Sequence, residues 1–268
     1  MKILITGSNG LIGTALKEAL KDASIGYDVV ERASNTSDGA EIHEQEANGT
    51  TTYRVRWPSA LSQMPYDKYS AVVHLALARP APNTPVDQAI KDHTVPLQNI
   101  IEGISRAHST CSLLFVSSQS SSPSALSGYG QGKWACEQLL HNSTIPWTIL
   151  RPGLIVDSSL KGLFGAIMGL IKLSPIIPTP VGNQMQIQPV LLDDVIAACT
   201  KIVAQPHQHS RTCYDLALPS QSLTSFTQEL CGTLHLKRMI IPIPWRLISA
   251  LLRIAEFLPI TLPVSRAN

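Results

Sequence analysis

Apolar positions along the chain follow two alternating rhythms. Short apolar runs fall at Lys2 to Ile5, Tyr27 to Glu31, Ala71 to Ala76, Leu113 to Ser117 and Thr148 to Ile155, with a weaker one at Thr51 to Trp57. Their length and bounding turn residues suit strands buried on both faces. Between them, apolar residues recur at helical spacing, from Leu11 to Leu20, Pro85 to Ala107 and Tyr129 to His141. Residues 32–50 and 78–85 are polar or Pro-rich and read as loops. Strand alternating with helix predicts an α/β fold built on a doubly wound parallel sheet. Right-handed crossovers gather the carboxyl ends of such strands, and ligands bind there, where the strand order switches. Gly7, Ala76, Ser118 and Arg151 all fall at or near those ends.

The last third of the chain is apolar in a different way. Leu163 to Leu173 is too short to span a bilayer. Trp245 to Leu258 places Arg246, Ser249, Arg253 and Glu256 along one face of an amphipathic helix. The expected cover for its apolar face is the rest of this lobe or a second subunit in a homodimer, ahead of a membrane surface. The division expected is residues 1–157 as the sheet domain, with part of 186–217 returning to it, and 158–268 as a smaller, mostly helical substrate lobe.

A chain of 268 residues buries an adequate core without disulfides. Its net charge of +2 gives no reason to invoke nucleic acid. The five cysteines (111, 136, 199, 213 and 231) are scattered, with neither C-x-x-C nor zinc spacing, so no metal site is expected. Dispersed thiols fit a reduced, cytoplasmic protein. The first strand starts at residue 2, and no signal peptide is expected before it.

Thr6-Gly7-Ser8-Asn9-Gly10-Leu11-Ile12-Gly13 follows the first strand and opens the first helix. Three glycines there permit a tight turn, close approach of backbone to a pyrophosphate, and close packing of helix on strand. The helix N-terminus adds unpaired N–H groups and partial positive charge. Gly7, Asn9, Gly10, Leu11, Ile12 and Gly13 are therefore candidate dinucleotide contacts. At the end of the second strand, Arg32 with Ser34 and Asn35 suits a 2′-phosphate, which favours NADP over NAD. Glu31 would take the ribose instead if the register slipped by one.

Tyr129 and Lys133 stand four residues apart on a predicted helix and share a face. A neighbouring ammonium favours phenolate and would draw the Tyr pKa down. A serine hydroxyl at a neighbouring strand end would hold a carbonyl or alcohol oxygen against that Tyr. Such a group moves a proton on and off a carbon-bound oxygen and needs a hydride carrier beside it.

Thr-Gly-x-x-Gly-x-x-Gly, Val-Val-His-Leu-Ala (72–76), Phe-Val-Ser-Ser (115–118), Tyr-x-x-x-Lys and Leu-Arg-Pro (150–152) occur in this order. In this the chain resembles the extended short-chain dehydrogenase/reductases, the NAD-dependent epimerase/dehydratase family. The resemblance implies a Rossmann-type domain, a smaller substrate lobe, and chemistry often performed on nucleotide sugars. It carries the Ser, Tyr and Lys roles to Ser118, Tyr129 and Lys133, with Ser117 packing at the strand end. It adds Leu75, Ala76, Leu77 and Pro152 to the cofactor contacts.

The chain also departs from that pattern. Val55-Arg56-Trp57-Pro58 replaces a Gly-Asp pair that reaches the adenine, and Trp57 is expected to pack. His93 stands where relatives often keep Asn and reads as a surface helix residue; His74 reads as structural. The short Ser-rich stretch from 119 to 128 is expected to be a mobile loop touching substrate. Gly130 and Gly132 imply close approach by cofactor or loop backbone. A diphosphate-binding Arg would fall on Ile187, between Gln186 and Gln188, leaving Lys161, Lys172 or backbone for that task. Asp193 and Asp194 are expected to anchor a helix start. The function expected is an NAD(P)-dependent oxidoreductase acting on a keto or hydroxyl carbon of a small-molecule sugar substrate, nucleotide-linked. The alternatives are a nucleotide-sugar epimerase with retained NAD, and a non-catalytic sensor or assembly protein.

Overall fold

The computed structural model describes residues 1–33, 42–76, 84–160, 162–180 and 186–244. These fall into two compact units, Met1–Gly153 with Leu192–Leu216, and Leu154–Leu191 with the chain from Ala217 onward.

The first unit opens with β1 (Lys2–Thr6), α1 (Leu11–Asp22) and β2 (Gly26–Arg32). A hairpin of β3 (Ile42–Ala47) and β4 (Thr50–Val55) follows, then β5 (Ala71–His74), α2 (Val86–Arg106) and β6 (Ser112–Val116). After α3 (Gly128–His141) comes β7 (Trp147–Pro152). The second unit contributes β8 (Leu154–Val156), α4 (Gly162–Leu173), β9 (Ile176–Pro180), β10 (Gln186–Ile187) and β11 (Pro189–Leu191). The chain returns to the first unit as α5 (Leu192–Ala204) and β12 (Thr212–Leu216), then leaves as β13 (Gln221–Ser222), α6 (Leu223–Thr233) and β14 (Met239–Ile243).

Eight strands form one sheet in the order β12-β7-β6-β5-β1-β2-β4-β3, all parallel except the β3 edge. The central strands are buried throughout and largely apolar, as a sheet covered on both faces requires. Leu4, Val72, Leu113 and Phe115 share one face with Leu97 and Ile100 of α2 and Leu140 of α3. Alternate residues point to the other face, where α1 packs with α5. Order reverses between β1 and β5, which opens the crevice at their carboxyl ends.

The stretch 32–50 differs from the loop expected of it, because Ile42–Ala47 is a strand. Its side chains are nearly all exposed, so no apolar run marks it; backbone bonds to β4 hold it at the edge. Asn48 and Gly49 both take positive φ (52° and 75°), the two-residue turn that Asn-Gly favours. β4 stops at Val55, short of the expected Trp57, and Trp57 packs against the core as expected. The run 148–155 breaks at Gly153: β7 stays in the large sheet and β8 pairs instead with β11.

The second unit holds α4, α6 and three two-stranded sheets around Phe164, Met168, Ile171, Ile177 and Phe226. Ile187, at the register of the expected diphosphate clamp, packs against this cluster. Asp193 and Asp194 lie in the first turn of α5, where the helix dipole favours carboxylates. Lys161, Ser34, Asn35, Leu77 and the helix expected at 245–258 lie outside the described residues.

Candidate active site

The turn after β1 is shaped by what its glycines exclude. Gly7 takes φ +77°, and a Cβ on it would lie 2.6 Å from the Ala76 nitrogen, so β1 and the end of β5 meet through bare backbone. A Cβ on Gly13 would run into the Gly7 carbonyl and lie 2.7 Å from Ser8 Cα. Gly10 differs: a Cβ there would meet only the Gly7 oxygen, at 3.4 Å. Gly10 caps α1 without a side-chain bond, so the first N–H groups of Leu11, Ile12 and Gly13 face an open approach. Bare backbone, a helix N-terminus and free space fit the pyrophosphate of a dinucleotide.

Beyond the turn, Asn9 Nδ2 donates to Glu31 Oε1 at 3.1 Å, and Arg54 approaches the same carboxylate at 3.7 Å. Arg32, exposed at the end of β2, lies with its guanidinium 5.6 Å from the centre of the Trp57 ring. The two adjacent residues thus take different directions: Glu31 meets the glycine turn and Arg32 meets Trp57.

A line of contacts joins the turn to Lys133. Thr6 Oγ1 and His74 Nδ1 are 2.7 Å apart, and the His74 ring stacks on Phe115 at 5.9 Å. Lys133 Nζ stands 4.6 Å from the centre of that Phe115 ring. It donates to the Val116 carbonyl at 2.8 Å and lies 5.9 Å from the centre of the Tyr129 ring. Ser118, two residues beyond β6, stands near enough to Tyr129 to draw its phenol pKa down, and its Oγ lies 2.9 Å from Ser120 Oγ. Its Oγ also accepts from the Ser120 N–H at 3.2 Å. The α3 helix that carries Tyr129 and Lys133 is capped by Ser127, whose Oγ accepts from the Gly130 N–H. Ser118, Tyr129 and Lys133 therefore converge at the carboxyl end of β6. Pro152 closes β7 alongside, its carbonyl accepting from Gln119 N–H, and Leu75 and Ala76 follow β5.

Electrostatics here differ from the expectation. Burial pushes the Tyr129 phenol above its ordinary value, and the Ser118 hydrogen bond pulls it partly back. Lys133 does not draw the phenol down: its ammonium stands 5.9 Å from the centre of the Tyr129 ring and donates instead to the Val116 carbonyl. Burial lowers the Lys133 ammonium to about 8, opposed by Cys136 and Glu137. The site thus holds a protonated phenol beside an ammonium poised near neutral pH.

His93 is buried, not on the surface. Its ring meets Tyr129 edge-on at 5.9 Å, and its Nε2 is buried without a hydrogen-bond partner. Burial, with the Lys133 charge, lowers it to about 4, and it stays neutral. Gly132 exists for this ring: a Cβ there would lie 3.0 Å from His93 Cγ, so a side chain of α2, not cofactor or loop backbone, makes the close approach. At Gly130 loop backbone does approach, with Ser120 O 2.5 Å from a Cβ. The sequence reading missed His93, although its spacing held the signal. It shares a helical stripe with Ala89, Pro96, Leu97 and Ile100, all of them buried. Burial lowers the His74 imidazole to about 3, so it stays neutral. The Ser-rich stretch forms hydroxyl-capped turns at Ser118 and Ser122.

A dinucleotide-binding doubly wound fold is the class that sheet and turn define. The model of the NAD dependent epimerase/dehydratase family matches residues 3–156, and the chain belongs to that family. Across 97 residues it is 34% identical to the nonribosomal peptide synthetase asaC of Aspergillus flavus, covering 32% of this chain and 9% of that protein. The chain thus spans under a tenth of that relative's length. In fold it is similar to the UDP-glucose 4-epimerase of Thermus thermophilus in complex with NAD, at TM-score 0.67 and 17% identity, covering 91% of this chain and 86% of that one. A dTDP-4-dehydrorhamnose reductase from Clostridium acetobutylicum superposes at TM-score 0.69 and 14% identity, covering 91% and 84%. Among the described residues no helix is long and apolar enough to cross a membrane.

Proposed function

We propose that this protein is an NAD(P)-dependent oxidoreductase that interconverts a ketone and a secondary alcohol on a sugar, carried on a nucleotide. The observation that supports it is the convergence of Ser118, Tyr129 and Lys133 at the end of β6, joined through Phe115 and His74 to the glycine turn. The fold neighbours named for UDP-glucose and dTDP-4-dehydrorhamnose support the sugar-nucleotide class.

Gly7, Asn9, Gly10, Leu11, Ile12 and Gly13 would hold the pyrophosphate, while Leu75, Ala76, Leu77 and Pro152 would line the nicotinamide half. When bound, the nicotinamide supplies or accepts the hydride. Tyr129, raised by burial and so protonated at neutral pH, delivers a proton to the substrate oxygen in reduction and removes it in oxidation. Ser118 orients that oxygen and favours the phenolate left behind, and Lys133 would hold the nicotinamide ribose. The partly buried setting strengthens each of these interactions over its value in water.

For the adenosine end, Arg32 supports NADP, as an exposed guanidinium beside Trp57 suits a 2′-phosphate. A second reading, NAD, is favoured by Glu31, whose carboxylate meets Asn9 in the glycine turn. Arg32→Ala weakens NADPH binding selectively if the first holds; Glu31→Ala weakens NADH binding if the second does.

The test is mass spectrometry of any copurifying nucleotide, then turnover of nucleotide-linked and free keto-sugars with NADPH and NADH. Tyr129→Phe should bind dinucleotide normally and lose turnover by about 10²- to 10⁴-fold. Unchanged turnover in that variant removes the assigned chemistry. Tight retention of NAD with no net consumption would make the enzyme an epimerase.

A further inference from the structure

A fully buried carboxylate lies one helical turn beyond Lys133. Tyr129, Lys133 and Glu137 recur at four-residue steps on α3 and line one face. The Glu137 carboxylate is held from two neighbouring strands. Ser117 Oγ donates to it from the end of β6, and Arg151 on β7 donates through Nε at 3.0 Å and through Nη2 to the second oxygen. Asp215 on β12 stands 3.9 Å from Nη1 of the same guanidinium. A buried ion pair is weak grounds for stability, since apolar packing serves as well or better. Its place beneath the Tyr and Lys needs a different reason.

The groups facing Lys133 supply one. From α3 come Tyr129, Cys136 and Glu137; from α2, His93; from β5, His74; from β6, the Phe115 ring and the Val116 carbonyl. Burial keeps both histidines neutral and pushes the Cys136 thiol up to about 12. Glu137 is the carboxylate in this set, held in an ion pair by Arg151. An ammonium taken out of water needs such a counter-charge, and low dielectric carries its field across one helical turn.

We propose that Glu137 is a positioning residue for the Tyr129 and Lys133 pair, the buried counter-charge that keeps Lys133 protonated. Through Ser117 it also ties α3 to the strand end that bears Ser118. Arg151 fixes the carboxylate so that its charge stays aimed along the helix. This rests on the reading of Lys133 as the working partner of Tyr129.

The experiment follows Lys133 itself. Full-length protein carrying 13C at lysine Cε is titrated by NMR through the alkaline range, with the Lys133 signal identified by its loss in Lys133→Met. Wild type should titrate near 8. Glu137→Gln should lower that midpoint by about one pH unit, while Glu137→Asp, which keeps the charge, stays near wild type. Glu137→Gln together with Arg151→Met removes both charges, leaves no unpaired guanidinium, and should shift the midpoint the same way. Any folded charge-removing variant with the wild-type midpoint overturns the proposal. Wild type gives a further reading: the Glu137 side-chain carboxyl signal should inflect at the Lys133 midpoint, and a flat signal also overturns it. Failure of the underlying chemistry reads differently, as Tyr129→Phe retaining turnover while the Lys133 titration still responds to Glu137.

Discussion

One methyl group, placed at either of two glycines three residues apart, should separate packing from ligand approach. At Gly13 the added Cβ meets backbone on two sides, the Gly7 carbonyl and Ser8 Cα at 2.7 Å. Neither is the end of a flexible side chain, so α1 must move from the turn by several tenths of an ångström. Overpacking of this kind costs about 1–3 kcal/mol, offset by up to about 1 kcal/mol for Ala over Gly within a helix. The net, from near zero to about 2 kcal/mol, lowers the melting temperature by up to about 8 °C for a body of this size. At Gly10 the nearest atom is 3.4 Å away and φ is −76°, which Ala adopts freely, so stability falls by less than about 1 kcal/mol. The same methyl stands where a pyrophosphate would approach the helix N-terminus, and dinucleotide affinity should drop at least about tenfold, or about 1.4 kcal/mol. Calorimetry and titration of NADPH and NADH fluorescence read the two effects. Gly10→Ala binding both dinucleotides like wild type would refute the cradle, and Gly13→Ala melting above wild type would refute the packing.

Lys133→Met should stabilise the fold at neutral pH by about 1–3 kcal/mol, because a buried ammonium held near 8 resists a charge that the unfolded chain keeps up to 10.5. The folded state binds fewer protons between those values, so wild-type stability recovers as pH rises from about 8 to 10.5 and the gap to Met closes; a gap constant with pH contradicts this. Gly49→Ala should cost about 1 kcal/mol through its positive φ alone, since no neighbour lies within 4 Å. A urea midpoint identical to wild type would show that the hairpin adopts another turn.

The sheet domain was legible because its central strands are buried on both faces. Nothing but apolar residues can fill Ile3 to Ile5 or Leu113 to Val116, and nothing but glycine fits at Gly7 and Gly13. The β3 edge was not legible from hydrophobicity. An exposed strand carries no apolar signature, and only the Asn48-Gly49 turn betrayed it. The face shared by Tyr129 and Lys133 followed from spacing, since a helix fixes which residues lie together, whereas Ser118 came from the resemblance to the family.

Spacing along one helix cannot say what the other elements bring to it. That Gly132 accommodates His93, that Lys133 bonds Val116, and that Arg151 and Ser117 close on Glu137 are meetings of residues far apart in sequence. The direction of the Tyr129 shift belongs to the same class. A pKa answers to burial and to every neighbouring charge, and burial exists only once the helices close over the sheet. The amino-acid sequence alone determined the buried central strands, the glycine turn and the face shared by Tyr129 and Lys133. Tertiary packing decided how deeply that face is buried and which charge lies beneath it.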